Sequence, residues 1–245
     1  KENNYYSFSM HGNNGAFWNR NIMYPALGYD YFYYYDRDFE LDEKIQLGLS
    51  DKSFFRQAVP YIEKIHSEHE IFYGTMITLT NHTPFLDIVE QGIVDFDFTM
   101  PYTYYDEELE EEITAFAPYV NETRMGNYLT SIRYADEAIG YFIDLLSETN
   151  VLDDTVIVIY GDHDAKLRKT DYDQLFNYDP YTDAIIDAED ENYINFDFYK
   201  RELYKGVPLV IWSKDKKVQE HVEMVMGMYD VMPTLGNMFG FRNDY

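Results

Sequence analysis

His11, His82 and His163 each stand where a short apolar, strand-forming run gives out, and that repetition is the chemical signal of this chain. Tyr5–Met10 (YYSFSM) leads into His11-Gly12-Asn13, Ile71–Thr80 (IFYGTMITLT) into Asn81-His82-Thr83, and Thr155–Tyr160 into Gly161-Asp162-His163-Asp164. In open α/β sheets ligands bind beyond the carboxyl ends of the strands. If the three runs are parallel neighbours, their imidazoles converge on one edge. A carboxylate beside an imidazole, as in Asp162-His163, is a pair of ligands for a divalent cation. Arg20 offers a planar fork of donors suited to phosphate or sulfate. Trp18 would wall the pocket, stack on Arg20, or serve as a hydrophobic plug. His11 and His82 would donate to non-bridging oxygens or carry protons. Singly, each histidine reads equally well as structural; together with Arg20 they describe an anion-transfer site. His66 and His69, at the end of a helix where the dipole favours a cation, and His221, in a polar stretch, read as structural. Two ligands under-fill a metal, and no Ser or Thr is paired with a base: Thr80 and Thr83 merely flank His82.

The elements that must position these groups alternate between strand and helix. Thr155–Asp164 (TVIVIYGDHD) has the apolar composition of a strand covered on both faces, in the middle of a largely parallel sheet. Asn21–Leu27 predicts a short helix closed by Gly28, and Tyr29–Tyr35 an extended aromatic run. Ser53–His69 carries helical spacing interrupted by Pro60, which predicts two short helices. Arg124–Ser147 has one continuous apolar stripe from Met125 to Leu146 and predicts a single helix. Residues 86–121 read as an irregular acidic connection centred on Asp106–Glu112 (DEELEEE), a solvated charge run. Residues 165–200 read as a polar excursion forming a lid or rim. Val207–Trp212 is a further buried strand, and Asp230 an N-cap for a last helix, Val231–Phe239. Strands alternating with helices imply right-handed crossovers, a mostly parallel central sheet flanked by helices, and one α/β domain over residues 1–245.

Composition bounds the partners. A formal net charge of −26 repels nucleic acid and anionic membrane surfaces, so no nucleic-acid partner is expected, and a phosphate could be held only where a metal and local cations reverse the field. The absence of cysteine excludes disulfides and thiolate chemistry. No apolar run approaches the roughly 20 residues that span a bilayer. The 26 tyrosines suit a secreted surface, or reflect an A·T-rich genome.

Four segments, HGNNGAFWNRNIMYPALGYDYF (11–32), TLTNHTPF (78–85), YGDHD (160–164) and YDVMPTL (229–235), resemble in order and spacing the lipoteichoic acid synthase family. These are phosphoglycerol transferases of the alkaline phosphatase/sulfatase superfamily. The FWNR and TLTNH motifs are fairly specific to the family, whereas GDH is shared across the superfamily. The resemblance implies a sulfatase-like α/β domain on the extracellular face of a Gram-positive cell membrane, held there by an N-terminal anchor or released as a soluble domain. It implies transfer of glycerol phosphate from phosphatidylglycerol to a growing polyglycerolphosphate glycolipid, through a threonine-linked intermediate and with one Mn²⁺ or Mg²⁺. By resemblance, Asp162 and His163 are metal ligands, while His11, Trp18, Arg20 and His82 bind the glycerol phosphate.

The pattern also departs from the family. Its catalytic threonine, a glutamate ligand and the membrane anchor lie upstream of the region matched, so the chain reads as the C-terminal part of the catalytic domain, without its nucleophile and inactive alone. Asp164 stands where the family more often has Tyr or Gly, which would bring a third carboxylate to the metal. Two other readings remain: a sulfatase or phosphodiesterase of the same superfamily, and a non-catalytic module binding anionic glycopolymer.

Overall fold

The computed structural model describes residues 4–85, 88, 96–215 and 219–240, which divide into two compact units, Lys1–Leu152 with Ala165–Lys205 and Asp153–Asp164 with Gly206–Tyr245. In chain order the first unit holds β1 (Tyr6–Asn14), α1 (Arg20–Ala26), β2 (Tyr31–Tyr35), β3 (Lys44–Ile45), β4 (Gly48–Leu49), α2 (Asp51–Glu68), β5 (Phe72–Ile77), β6 (Met100–Asp106), β7 (Glu111–Ala117) and α3 (Arg124–Ser147). β8 (Val156–Tyr160) belongs to the second unit. β9 (Tyr178–Asp179) and β10 (Ala184–Ile185), the helix α4 (Lys169–Phe176) before them and α5 (Phe198–Leu203) after them return to the first. β11 (Leu209–Ser213) and α6 (Val231–Phe239) complete the second.

The first unit is built on a parallel sheet of order β2-β1-β5, in which Met10 lies opposite Tyr33 and Met76, and His11 opposite Tyr34 and Ile77. The alternation of β1 explains its central place: Phe8 and Met10 are fully buried, and on the opposite face so are Ser9 and His11. β1 runs on to Asn14, so His11 lies within the strand and not beyond it.

α2 is one helix, not two. Pro60 forfeits one backbone hydrogen bond, but Arg56, whose carbonyl would have accepted it, is exposed like Pro60 itself, and water can take that place. Ser50 caps the helix, accepting the backbone N–H of Ser53 at 3.0 Å. The buried stripe Phe54, Phe55, Ala58, Ile62 and Ile65 meets Tyr134, Ala138 and Phe142 of α3, and the rings of Phe55 and Phe142 stack 4.5 Å apart. Thr123 caps α3 through the N–H of Gly126.

Residues 86–121 are more regular than their acidity implied. β6 and β7 form an antiparallel hairpin pairing Met100 with Ala117 and Asp106 with Glu111, and the acidic run supplies the turn. Alternating β-formers on each side of the turn carry the strands, and the charges stay solvated; the expectation for residues 86, 87 and 89–95 lies outside the described residues. The excursion after residue 165 is anchored within the first unit. Arg124 pairs with the buried Asp171 of α4, the Tyr119 hydroxyl donates to the Leu175 carbonyl at 2.7 Å, and Phe196 stacks between Tyr172 and Phe176.

In the second unit β8 pairs antiparallel with β11, Ile159 opposite Val210, and its residues are half-buried or exposed. A continuous Val/Ile run reports apolarity, which antiparallel partners share, so it could not choose the pairing direction. Asp230 stands at the N-cap of α6 as its position implied, but its side chain makes no capping bond there: the carboxylate accepts the N–H of Gly227 at 2.8 Å and closes the preceding turn.

The contact of α2 with α3 is the principal apolar seam. Truncation of Phe142 to Ala is expected to cost about 3–5 kcal/mol, read as a lowered urea midpoint with an unchanged slope; a loss under about 1 kcal/mol would contradict that packing.

Candidate functional site

Parallel pairing of β1 with β5 places His11 and the turn that carries His82 at the same carboxyl edge. The His11 side chain has no exposed surface. Its Nδ1 lies 3.3 Å from the carbonyl oxygen of Ile77, so Nδ1–H donates and the lone pair is left on Nε2, which is buried and has no hydrogen-bond partner among the described residues. Burial, and next the Arg20 guanidinium, lower the His11 pKa to about 4. A neutral imidazole with this tautomer offers a hydrogen-bond acceptor at Nε2.

The segment after β1 folds back over His11. The Phe17 ring lies 6.0 Å from the His11 ring, and Trp18 stacks on Phe17 at 5.9 Å. Trp18 and Asn19 both take left-handed backbone conformations, at φ 54° and 58°. Two such residues in succession are costly without glycine. The N–H of Asn21 holds the bend shut by donating to Gly15 O at 2.9 Å. A Cβ on Gly15 would sit 2.7 Å from the Tyr34 ring, so a larger residue there would have to displace that ring. The bend leaves the Trp18 side chain 73% exposed and starts α1 at Arg20, whose guanidinium is half-buried near His11.

His82 is half-buried in the turn after β5, with its Nδ1 2.6 Å from the Thr83 carbonyl oxygen. As in His11, Nδ1–H donates to a backbone carbonyl. Thr80 is buried and its Oγ1 accepts the backbone N–H of Asp51 at 3.1 Å, which is a structural engagement and not that of a nucleophile. Asp51, at the start of α2, lies just ahead of the apolar helical spacing that begins at Ser53. The signal for it is the Ser50-Asp51-x-Ser53 start, a capping residue followed by an acid in the first turn.

Asp162 and His163 lie in the second unit, directly after β8. The carboxylate Oδ1 is 3.7 Å from His163 Nε2, and His163 Nδ1 lies 2.8 Å from the Asp164 carbonyl oxygen. That backbone contact occupies Nδ1 and turns Nε2 toward Asp162. Asp164 thus contributes its carbonyl to orienting His163. Among the described residues no group of three or more ligating side chains gathers, so Asp162 and His163 fit part of a divalent-cation site and do not fill one. His69 stacks on Tyr6 at 4.0 Å and His66 lies edge-on to Phe72, both packing roles.

Comparison with known proteins places this geometry in context. The chain matches the sulfatase family over residues 1–241. It is 31% identical over 243 residues to a lipoteichoic acid synthase of Staphylococcus saprophyticus and 30% identical over 243 residues to lipoteichoic acid synthase 2 of Bacillus subtilis, covering 98% of this chain and 31% of each relative. It therefore spans about a third of the length of these curated relatives. The crystal structure of the lipoteichoic acid synthase LtaP from Listeria monocytogenes superposes with a TM-score of 0.68 at 24% identity, over 99% of this chain and 52% of that one. A Vibrio parahaemolyticus protein of the alkaline phosphatase superfamily superposes at 0.63 with 20% identity, over 98% of this chain and 46% of that one. The two solved structures establish the sulfatase-like α/β fold.

The state of His11 is open to test. Its folded pKa is depressed, so between pH 6.5 and about 4 the unfolded chain binds a proton that the native site refuses. Stability rises with pH across that window and falls as pH drops through it, by about 3 kcal/mol in all. His11→Gln should flatten this part of a urea-midpoint profile between about pH 7 and 4; an identical profile in variant and wild type would show that His11 titrates normally.

Proposed function

The chain belongs to the sulfatase family, and from that premise we propose that it contributes the glycerol-phosphate-binding part of a phosphoglycerol transferase. Its relatives are named lipoteichoic acid synthases, and the lipid-to-polymer reaction is the reading their names support. The observation that carries it is the Arg20 guanidinium beside a buried, neutral His11 at the carboxyl edge of the parallel sheet. A substrate that combines a phosphate diester with free hydroxyls matches both groups.

In this reading Arg20 takes the non-bridging phosphate oxygens with its planar fork, a charge-assisted contact that strengthens as charge builds in phosphoryl transfer. The Nε2 lone pair of His11, buried beneath Phe17 in this structure, would accept a hydrogen bond from a glycerol hydroxyl once the Phe17–Arg20 bend admits the substrate. His82, with the same tautomer, accepts a second hydroxyl or takes the proton of an incoming alcohol. Trp18 and Phe17 form an aromatic wall that limits water at the phosphate. Sulfatase-superfamily enzymes generally use a divalent metal. Asp162 and His163 would hold it, and it would supply charge neutralisation and a lowered pKa for the attacking hydroxyl.

The nucleophile in this proposal is a threonine outside the chain, which attacks phosphorus of phosphatidylglycerol, expels diacylglycerol and carries glycerol phosphate as a phosphodiester. The terminal hydroxyl of the polymer then displaces the threonine oxygen. Such an enzyme works at the outer face of the membrane, where its lipid donor resides. Among the described residues no helix is long and apolar enough to cross a bilayer.

Calorimetric titration tests the binding half of this account without turnover. Glycerol phosphate should bind the chain, inorganic sulfate more weakly, and Arg20→Ala should lose at least about tenfold in affinity, as expected when a charged hydrogen bond of about 1.5–3 kcal/mol is removed. Equal affinity for sulfate and glycerol phosphate would favour a sulfatase, and unchanged binding by Arg20→Ala would remove Arg20 from the site. Mn²⁺ should bind through Asp162, and Asp162→Asn should weaken that affinity sharply; an unchanged affinity would exclude Asp162 as a ligand.

A further inference from the structure

Asp51 is buried, and one of its carboxylate oxygens accepts two consecutive backbone N–H groups, Leu79 at 2.9 Å and Thr80 at 3.1 Å. Its own N–H donates in return to the buried Thr80 hydroxyl at 3.1 Å. Three hydrogen bonds thus lock the first residue of α2 to the segment immediately after β5. That segment carries His82: the N–H of His82 donates to the carbonyl of Leu79 at 3.1 Å, the residue whose own N–H Asp51 holds. The far side of the turn is held by α3, where the Ser131 hydroxyl donates to Asn81 Oδ1 at 2.6 Å and Asn127 Nδ2 to the Phe85 carbonyl at 3.2 Å. His82 therefore sits in a turn clamped between the starts of two helices.

A carboxylate is an expensive way to fix a turn in the interior. Burial raises the Asp51 pKa, and its second carboxylate oxygen, Oδ2, has no hydrogen-bond partner among the described residues. Capping α2 does not require it, since Ser50 already does so. What no neighbouring side chain duplicates is the acceptance of two adjacent N–H groups, which fixes the backbone direction of Leu79 and Thr80 and hence where the chain presents His82. We propose that Asp51 is a positioning residue of the glycerol-phosphate site, acting through Leu79 and Thr80 to hold the His82 imidazole against the substrate. The inference rests on reading His82 as a substrate-binding residue, but the clamp itself does not.

The test compares Asp51→Ala, Asp51→Asn and Thr80→Val in the chain, followed by the ring resonances of the histidines and by calorimetric titration of glycerol phosphate. Asparagine keeps an oxygen for the two N–H groups and discards the charge; alanine discards both. Asp51→Ala should shift the His82 ring resonances and leave those of His66 and His69, at the far end of α2, in place. It should also weaken glycerol phosphate at least about tenfold, and Asp51→Asn should restore both readouts. Should the alanine variant not fold, Thr80→Val, which removes only the acceptor for the Asp51 N–H, should displace the His82 resonances while the other two stay. Unmoved His82 resonances in whichever of the two variants folds would overturn the clamp. A displaced His82 with unchanged affinity would overturn the positioning role. Failure of the wild-type chain to bind glycerol phosphate would count against the proposed function, while the resonance measurements would still decide the clamp.

Discussion

The parallel pairing of β1 with β5 is the constraint from which the rest of the first unit follows. It sets His11 level with Ile77, so that the carbonyl of one strand fixes the tautomer of a histidine on the next. It also sends both chains off the same edge of the sheet, one into the Phe17–Arg20 bend and the other into the His82 turn. Neither loop could meet the other if the register slipped by one residue, because every side chain of β1 would change face. The apolar seam between α2 and α3 serves this pairing: α2 packs on β1, and its first residue grips the end of β5.

Electrostatics gives the same arrangement a sign. A chain of net charge −26 is an unpromising host for a phosphate. The proposed site would answer this with the Arg20 guanidinium, beside imidazoles whose Nδ1 atoms face backbone carbonyls. Under the proposed function, an acceptor next to a cation would distinguish a hydroxyl-bearing phosphate ester from a bare anion.

How far the sequence could be read depended on which physical signal carried each feature. α3 was legible from Arg124 to Ser147 because one unbroken apolar stripe begins after a capping threonine. Gly28, at φ 91°, closes α1 as its position implied. Pro60 misled, since a proline forbids a helix only where no solvent can replace its missing bond. The β6–β7 hairpin was hidden by charge, although Tyr102–Tyr105 and Ile113–Phe116 carried strand composition. For the site, residue types at strand ends named His11, His82, Asp162 and His163, and the structure brings the first two to one sheet edge. Tautomers, the left-handed bend at Trp18 and the grip of Asp51 on β5 depend on distances between segments far apart in sequence, which no local pattern encodes.

The claim at the centre of this account is that His11 and His82 present acceptor nitrogens to a glycerol phosphate. A long-range ¹H–¹⁵N correlation spectrum of the histidine rings, recorded at neutral pH with and without glycerol phosphate, addresses it directly. The account predicts that both rings carry their proton on Nδ1, that both Nε2 resonances move on addition of ligand, and that those of His66 and His69 do not. A proton on Nε2 of His11, or Nε2 resonances indifferent to ligand, would contradict it.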